Sequence, residues 1–220
     1  PLATPELSVE QAFEEIINFA KISKNGADYA KDAINEADSD KFEELRKKLV
    51  KYEEISDRIE YEIATFLNKV SAEEISESTS VKIKAMYKII GELESLGDSG
   101  ETLSRILSRK NIHKKEFDSE SIKNLNAMAD AVNATYDVMI ENLTAAHKGE
   151  LVEISNAYNA EDRLNTLRNN LRDSMIENID SKGDNYQASV YFIDIINTYE
   201  QMGDFMINIS QDLERAFVKK

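Results

Sequence analysis

The sequence predicts an all-α protein made of two tandem three-helix bundles, with six long antiparallel helices in total. Both prolines, Pro1 and Pro5, stand at the very start, so no later residue forces a helix to break. Apolar residues recur at alternating spacings of three and four, which places them on one face of a helix. The second half of the chain repeats the pattern of the first, which predicts two similar bundles.

Six amphipathic blocks follow one another along the chain, and each predicts one helix: 9–34, 42–70, 86–107, 122–143, 157–171 and 192–213. Polar clusters separate the blocks near 38–40, 71–80, 110–121, 148–150 and 181–184. Patterns typical of capping boxes at Ser8, Asp40, Ser71 and Asp184 predict four of the helix starts. The break after residue 112 divides the chain into a first predicted bundle, 1–112, and a second, 113–220.

The chain is strongly acidic, with 27 basic and 42 acidic side chains among its 220 residues and a formal charge of −15. Such a surface repels nucleic acid and anionic lipid, so no nucleic-acid partner is expected, whereas cations are attracted. Cysteine is absent, which excludes disulfides, thiolate metal sites and cysteine nucleophiles.

A short acidic motif occurs once in each half. Positions 93–98 read Leu-Glu-Ser-Leu-Gly-Asp, and positions 199–204, 106 residues later, read Tyr-Glu-Gln-Met-Gly-Asp. Each motif has a glycine in mid-helix, Gly97 or Gly203, which costs about 1 kcal/mol relative to alanine. Each also has two carboxylates four residues apart, and such a pair repels by a few tenths of a kcal/mol unless a cation lies between them. Because both motifs contain the same slightly destabilising features, we expect them to have the same function.

The acidic motifs predict metal binding. Glu54 and Asp57 form a further pair in the second block, and Asp162 and Asn165 stand 108 positions later in the fifth. Oxygen ligands without sulfur favour iron, Mn²⁺, Mg²⁺ or Ca²⁺ over zinc or copper. The predicted metal ligands are Glu54, Asp57, Glu94, Asp98, Asp162, Glu200 and Asp204. Because Asn165 lacks the carboxylate that Asp57 has, the sequence predicts a weaker metal site in the second half. The alternative is that all these acids bind no metal and form a solvated face of the protein.

No arrangement of residues points to catalysis. The sequence contains no glycine-rich phosphate loop, no nucleophile elbow and no His-x-x-x-His pair. The Glu-x-x-His motif of ferritin-like di-iron proteins is also missing. The sequence therefore predicts a protein that is not an enzyme.

The two motifs at 93–98 and 199–204 resemble the paired Glu/Asp-x-x-x-Asp signatures of the PhoU family of phosphate-transport regulators. The resemblance extends over nearly the whole chain. It implies tandem three-helix bundles, carboxylate-bound metal clusters that often contain iron, and regulation of phosphate uptake at the cytoplasmic side of the inner membrane.

The first residues, 1–12, resemble the segment that leaves the membrane domain of bacterial Na⁺/phosphate cotransporters, which carry a PhoU-like C-terminal domain. This implies a cytosolic regulatory domain whose partner is a membrane phosphate transporter, namely the membrane domain of the same polypeptide. The alternatives are a free-standing PhoU-type regulator and a purely structural helical interaction module without metal. Whether the chain forms a homodimer stays open.

Overall fold

A computed structural model describes residues 4–150, 152–181 and 186–217, and over these residues it is all-helical. The six helices are α1 (Pro5–Asn35), α2 (Ser39–Ser71), α3 (Glu77–Ile112), α4 (Ser119–His147), α5 (Ser155–Ser181) and α6 (Tyr186–Phe217). The predicted fold class and the number of helices are confirmed. None of the described helices is both long enough and apolar enough to cross a membrane.

Side-chain caps start four of the helices, but not where the capping-box patterns predicted. The capping oxygens accept hydrogen bonds from backbone N–H groups three residues later and belong to Thr4, Asp38, Ser76 and Asp118. The predicted caps at Ser8 and Asp40 lie inside α1 and α2, and Ser71 is the last residue of α2. Asp184 lies outside the described residues. Asp40 and Ser71 are exposed, where polar residues at capping spacing are common, whereas Ser8 is a small polar residue buried within α1.

Four helices form the centre of the molecule, and two lie outside it. Helix α1 packs against α3 and α4, and α6 packs against the same two helices, which closes a ring of four. Helix α2 packs on α1 and α3, and α5 packs on α4 and α6. One continuous apolar core includes residues from all six helices. Helix α3 ends at Ile112, at the predicted boundary, but because the halves share this core their division into separate domains stays a prediction.

The contact between α1 and α4 combines apolar packing with specific polar pairs. The hydroxyls of Ser23 and Tyr136 lie 2.6 Å apart inside the core. Lys31 Nζ donates to Asp130 Oδ1 over 2.7 Å at the more exposed edge. The side-chain amides of Asn35 and Asn126 bond each other reciprocally. These pairs fix the register of the two halves, because a buried hydroxyl without a partner would be costly.

Both outer helices approach a central helix at a glycine. A Cβ atom built on Gly97 of α3 would lie 2.1 Å from Oγ and 2.6 Å from Cβ of Ser56 on α2. A Cβ on Gly203 of α6 would lie 2.5 Å from Cδ2 of Leu164 on α5. Real Cβ atoms do not come so close, and because Cβ of Ser56 is fixed to the backbone of α2, Gly97 is needed for the contact between α2 and α3. At Gly203 the close atom is the end of the Leu164 side chain, so there a change of the leucine conformation could make room for a methyl group.

Substitution of Gly97 by alanine should therefore destabilise the protein. Alanine gains about 1 kcal/mol in helix propensity. The added methyl group would clash with Cβ of Ser56, which is bonded to the backbone and cannot rotate away. Such overpacking typically costs about 1–3 kcal/mol. We expect a net loss of up to about 2 kcal/mol in the free energy of unfolding, measured by urea titration.

The matched control is Gly91→Ala in the same helix, where the nearest atom to a new Cβ is Glu60 Oε2 at 3.9 Å. This variant should be as stable as the parent or gain up to about 1 kcal/mol. Equal stability of the two variants would contradict the close contact at Gly97.

Candidate metal centre

Three carboxylates meet where α2 lies against α3. Asp57 extends from α2, and Glu94 and Asp98 stand one turn apart on α3. Each offers one oxygen, and these oxygens all lie within 4.8 Å of one another. Asp57 is exposed, whereas Glu94 and Asp98 are partly buried. We call these three residues the acidic triad.

The triad holds more negative charge than its surroundings favour. Burial raises the pKa of Glu94 to about 9, and hydrogen bonds from its protonated form to Asp98 and Asp57, with the charges of Asp98 and Glu60, contribute to the rise. Burial also raises the pKa of Asp98, together with the charges of Asp57 and Glu101. The charged triad is therefore costly unless a proton or another cation compensates it.

Further acids surround the triad, and the sequence analysis missed them. The pKa of Glu53 is raised by burial and then by the charges of Asp98, Glu101 and Asp57, and that of Glu60 by burial and the charges of Asp57 and Asp98. Glu53 and Glu60 stand four before and three after Asp57, so all three share one face of α2. That spacing was the available signal in the sequence.

Glu101 lies at one side of the acidic region and forms ion pairs with two arginines. Its carboxylate lies 3.4 Å from Nη1 of Arg46 and 3.2 Å from Nη2 of Arg105. Glu54, which the sequence analysis placed among the ligands, is exposed on α2 and does not join the triad. The face of α2 that points to α3 is thus the one with Glu53 and Asp57.

The residues of the triad fit a divalent cation. Oδ1 of Asp98 is buried and has no hydrogen-bond partner, which leaves a carboxylate oxygen with its acceptor capacity unused. The donors are all carboxylate oxygens, as hard cations such as Mg²⁺, Ca²⁺ and Mn²⁺ prefer, and iron is compatible. Neither histidine contributes, because His113 bonds the hydroxyl of Tyr191 and His147 stacks on Phe13.

The corresponding place in the second half is built differently. Glu200 and Asp204 of α6 face Glu161 and Asn165 of α5, and burial raises the pKa of Glu161, as do the charge of Asp204 and a hydrogen bond to it. Burial and the charge of Asp204 raise the pKa of Glu200, whereas Arg168 lowers it.

The predicted ligand Asp162 is exposed on α5. Over residues 4–150, 152–181 and 186–217, the acidic triad is the one group of three potential ligands with oxygens this close together. The structure thus brings together three of the seven predicted ligands in the first half, and among its described residues the second half has no equivalent group.

The raised pKa values predict that the stability of the metal-free protein depends on pH. The ordinary pKa of Glu94 is 4.5 and its folded-state pKa is about 9, so between these values the folded protein binds more protons than the unfolded one. This contribution to stability is complete below about pH 4.5 and is lost as the pH rises towards about 9. Urea unfolding in the presence of a chelator should show a fall in stability from about pH 5.5 to about pH 8.5.

The variant Glu94→Gln should flatten this dependence, because the amide does not titrate. The exposed Glu141 provides the control, since Glu141→Gln should leave the slope as it is. A slope unchanged in Glu94→Gln would show that this carboxyl group is not the strongly shifted one.

Comparisons with known proteins identify the fold. No protein-family model and no curated protein matches the sequence. Among solved structures, PhoU from Pseudomonas aeruginosa superimposes with a TM-score of 0.83 at 13% identity, over 94% of this chain and 96% of that one. The phosphate transport system regulatory protein PhoU from Streptococcus pneumoniae gives 0.77 at 14% identity, over 98% and 100% of the two chains. At such identities the likeness concerns the fold alone, and the chain has the PhoU fold along nearly its whole length.

Proposed function

We propose that this protein is a non-enzymatic regulator of phosphate transport that binds a metal ion through Asp57, Glu94 and Asp98. The observation that supports the metal role is the acidic triad, which brings three carboxylate oxygens within 4.8 Å of one another and leaves a buried oxygen of Asp98 without a partner. The metal is iron, Mn²⁺, Mg²⁺ or Ca²⁺, since the donors are all oxygen.

The triad couples the outer helix to the centre of the molecule. Asp57 belongs to α2, and Glu94 and Asp98 belong to α3, so a ligand shared by these residues would link the two helices. A bound divalent cation would supply the positive charge that this group lacks. Glu94 would give up its proton on binding, and the affinity for metal should therefore rise with pH. In this way the occupancy of the triad would control how firmly α2 is held against α3.

The role in phosphate transport is supported by the fold. Both solved structures described above are PhoU proteins, and one is named as a regulatory protein of a phosphate transport system. This supports a free-standing PhoU-type regulator better than the PhoU-like domain of a sodium/phosphate cotransporter. Its partner would be a membrane phosphate transporter, at the cytoplasmic side of the inner membrane.

Two other possibilities make different predictions. If the chain is a cotransporter domain, its partner is the membrane domain of the same polypeptide, and regulation should require the covalent connection. If it is a structural interaction module, the protein should bind no specific metal, and Asp98→Glu should be harmless. The experiments below separate these cases.

Purified, tag-free protein should contain about one metal ion per chain in elemental analysis by plasma mass spectrometry, because one triad supplies the protein ligands. The variant Glu94→Ala/Asp98→Ala should lose it. The control is Glu54→Ala, which removes a carboxylate from α2 three residues before Asp57. This variant should keep the metal, since Glu54 lies outside the triad. Absence of metal from the parent after reconstitution with iron and Mn²⁺ would sink the proposed metal role.

The regulatory role is tested in a bacterial strain that lacks its own PhoU. The separate chain should restore normal control of phosphate uptake, measured with radiolabelled phosphate, whereas Glu94→Ala/Asp98→Ala should restore less than a tenth of that effect if the metal is required. Glu54→Ala should act like the parent. Full restoration by Glu94→Ala/Asp98→Ala would show that regulation does not require metal binding. If neither the parent nor any variant restored control, a covalently linked transporter domain or a structural module would be favoured.

A further inference from the structure

The second half has an arginine where the first half has a glutamate. Positions of α2 and α5 correspond at an offset of 108 residues, which pairs Asp57 with Asn165 and Glu60 with Arg168. The structure supports this register independently. Gly97 packs against Ser56 and Gly203 packs against Leu164, and these two partners also stand 108 residues apart. Two carboxylates of the first half are thus replaced by an amide and a guanidinium.

Arg168 reaches the acidic motif of its own half. Its Nη2 lies 3.9 Å from Oε1 of Glu200, and the two side chains are only 19% and 22% exposed. Its Nη1 donates a hydrogen bond to Oδ1 of Asn197 over 3.3 Å, which orients the guanidinium along α6. An arginine stays protonated at all physiological pH values, so this positive charge is permanent.

From this geometry we propose that Arg168 is the built-in counter-cation of the second acidic motif, so that the chain binds metal in its first half only. The inference rests on the metal role proposed above for the first half. A divalent ion beside Glu200 would be repelled by the guanidinium, and Asn165 provides no charge where Asp57 provides one. Arg168 then places a fixed positive charge between α5 and α6, whereas the link between α2 and α3 depends on an exchangeable ion.

The test restores the missing carboxylates. The double substitution Asn165→Asp/Arg168→Glu is introduced into the parent chain and into the chain that already has Glu94→Ala/Asp98→Ala. Binding of Mn²⁺ is measured by calorimetric titration, with elemental analysis of the dialysed proteins. The parent should bind about one ion and the first-half variant none, whereas the double substitution should add about one ion to each.

The matched control is Asn165→Asp/Arg163→Glu, which makes the same change in charge on the same helix. Arg163 is exposed on α5, so its substitution should create no site. Circular dichroism confirms that each variant is folded. If the double substitution does not fold, Arg168→Gln is introduced into the first-half variant instead, and measurable Mn²⁺ binding should appear where that variant alone binds none.

Each outcome decides a separate point. Two ions in the parent, or one ion retained by Glu94→Ala/Asp98→Ala, would overturn the inference, because the second half would then bind metal despite Arg168. Unchanged binding in folded Asn165→Asp/Arg168→Glu, or equal gain in the Arg163 control, would overturn it as well. A parent chain that binds no metal would instead refute the proposed function on which the inference rests.

Discussion

The contact between α2 and α3 at Gly97 determines most of what is distinctive in this molecule. Without a Cβ at that position, Ser56 of α2 lies directly against the backbone of α3, and the side chains on either side of the contact are forced together. Among those side chains are the carboxylates of Asp57 and Asp98. The mid-helix glycine costs helix propensity, and the carboxylates cost electrostatic energy, so the arrangement weakens the metal-free fold locally.

The two halves compensate the same charge in different ways. In the first half burial and neighbouring acids raise the pKa of Glu94 to about 9, and Glu101 is paired with Arg46 and Arg105. In the second half Arg168 provides a fixed charge against Glu200. Under the metal role proposed above, the connection between α2 and α3 would respond to a bound cation, whereas Arg168 keeps a fixed positive charge between α5 and α6. The asymmetry follows from two substitutions on one face of α5 and needs no change of fold.

The position of α2 and α5 outside the central ring explains why such changes are tolerated. Helices α1, α3, α4 and α6 share most of the apolar core, and α1 is bound to α4 by the Ser23–Tyr136 and Asn35–Asn126 pairs. Each outer helix packs on only two neighbours. The acidic regions lie in the two seams between an outer and a central helix, so their ionisation affects those seams and leaves the central packing intact.

The sequence by itself determined the helices, their order and the internal repeat, because apolar periodicity and the i, i+4 spacing of carboxylates are local properties of a helix. It also identified Glu94, Asp98 and Asp57. Only the tertiary structure decided which neighbours of Asp57 face α3. Adjacent helical residues point about 100° apart, so the rotation of α2 about its axis selects Glu53 over Glu54, and packing sets that rotation. The roles of Glu60 and Arg168, and the true helix caps, depend in the same way on contacts with other helices, which a single chain segment does not specify.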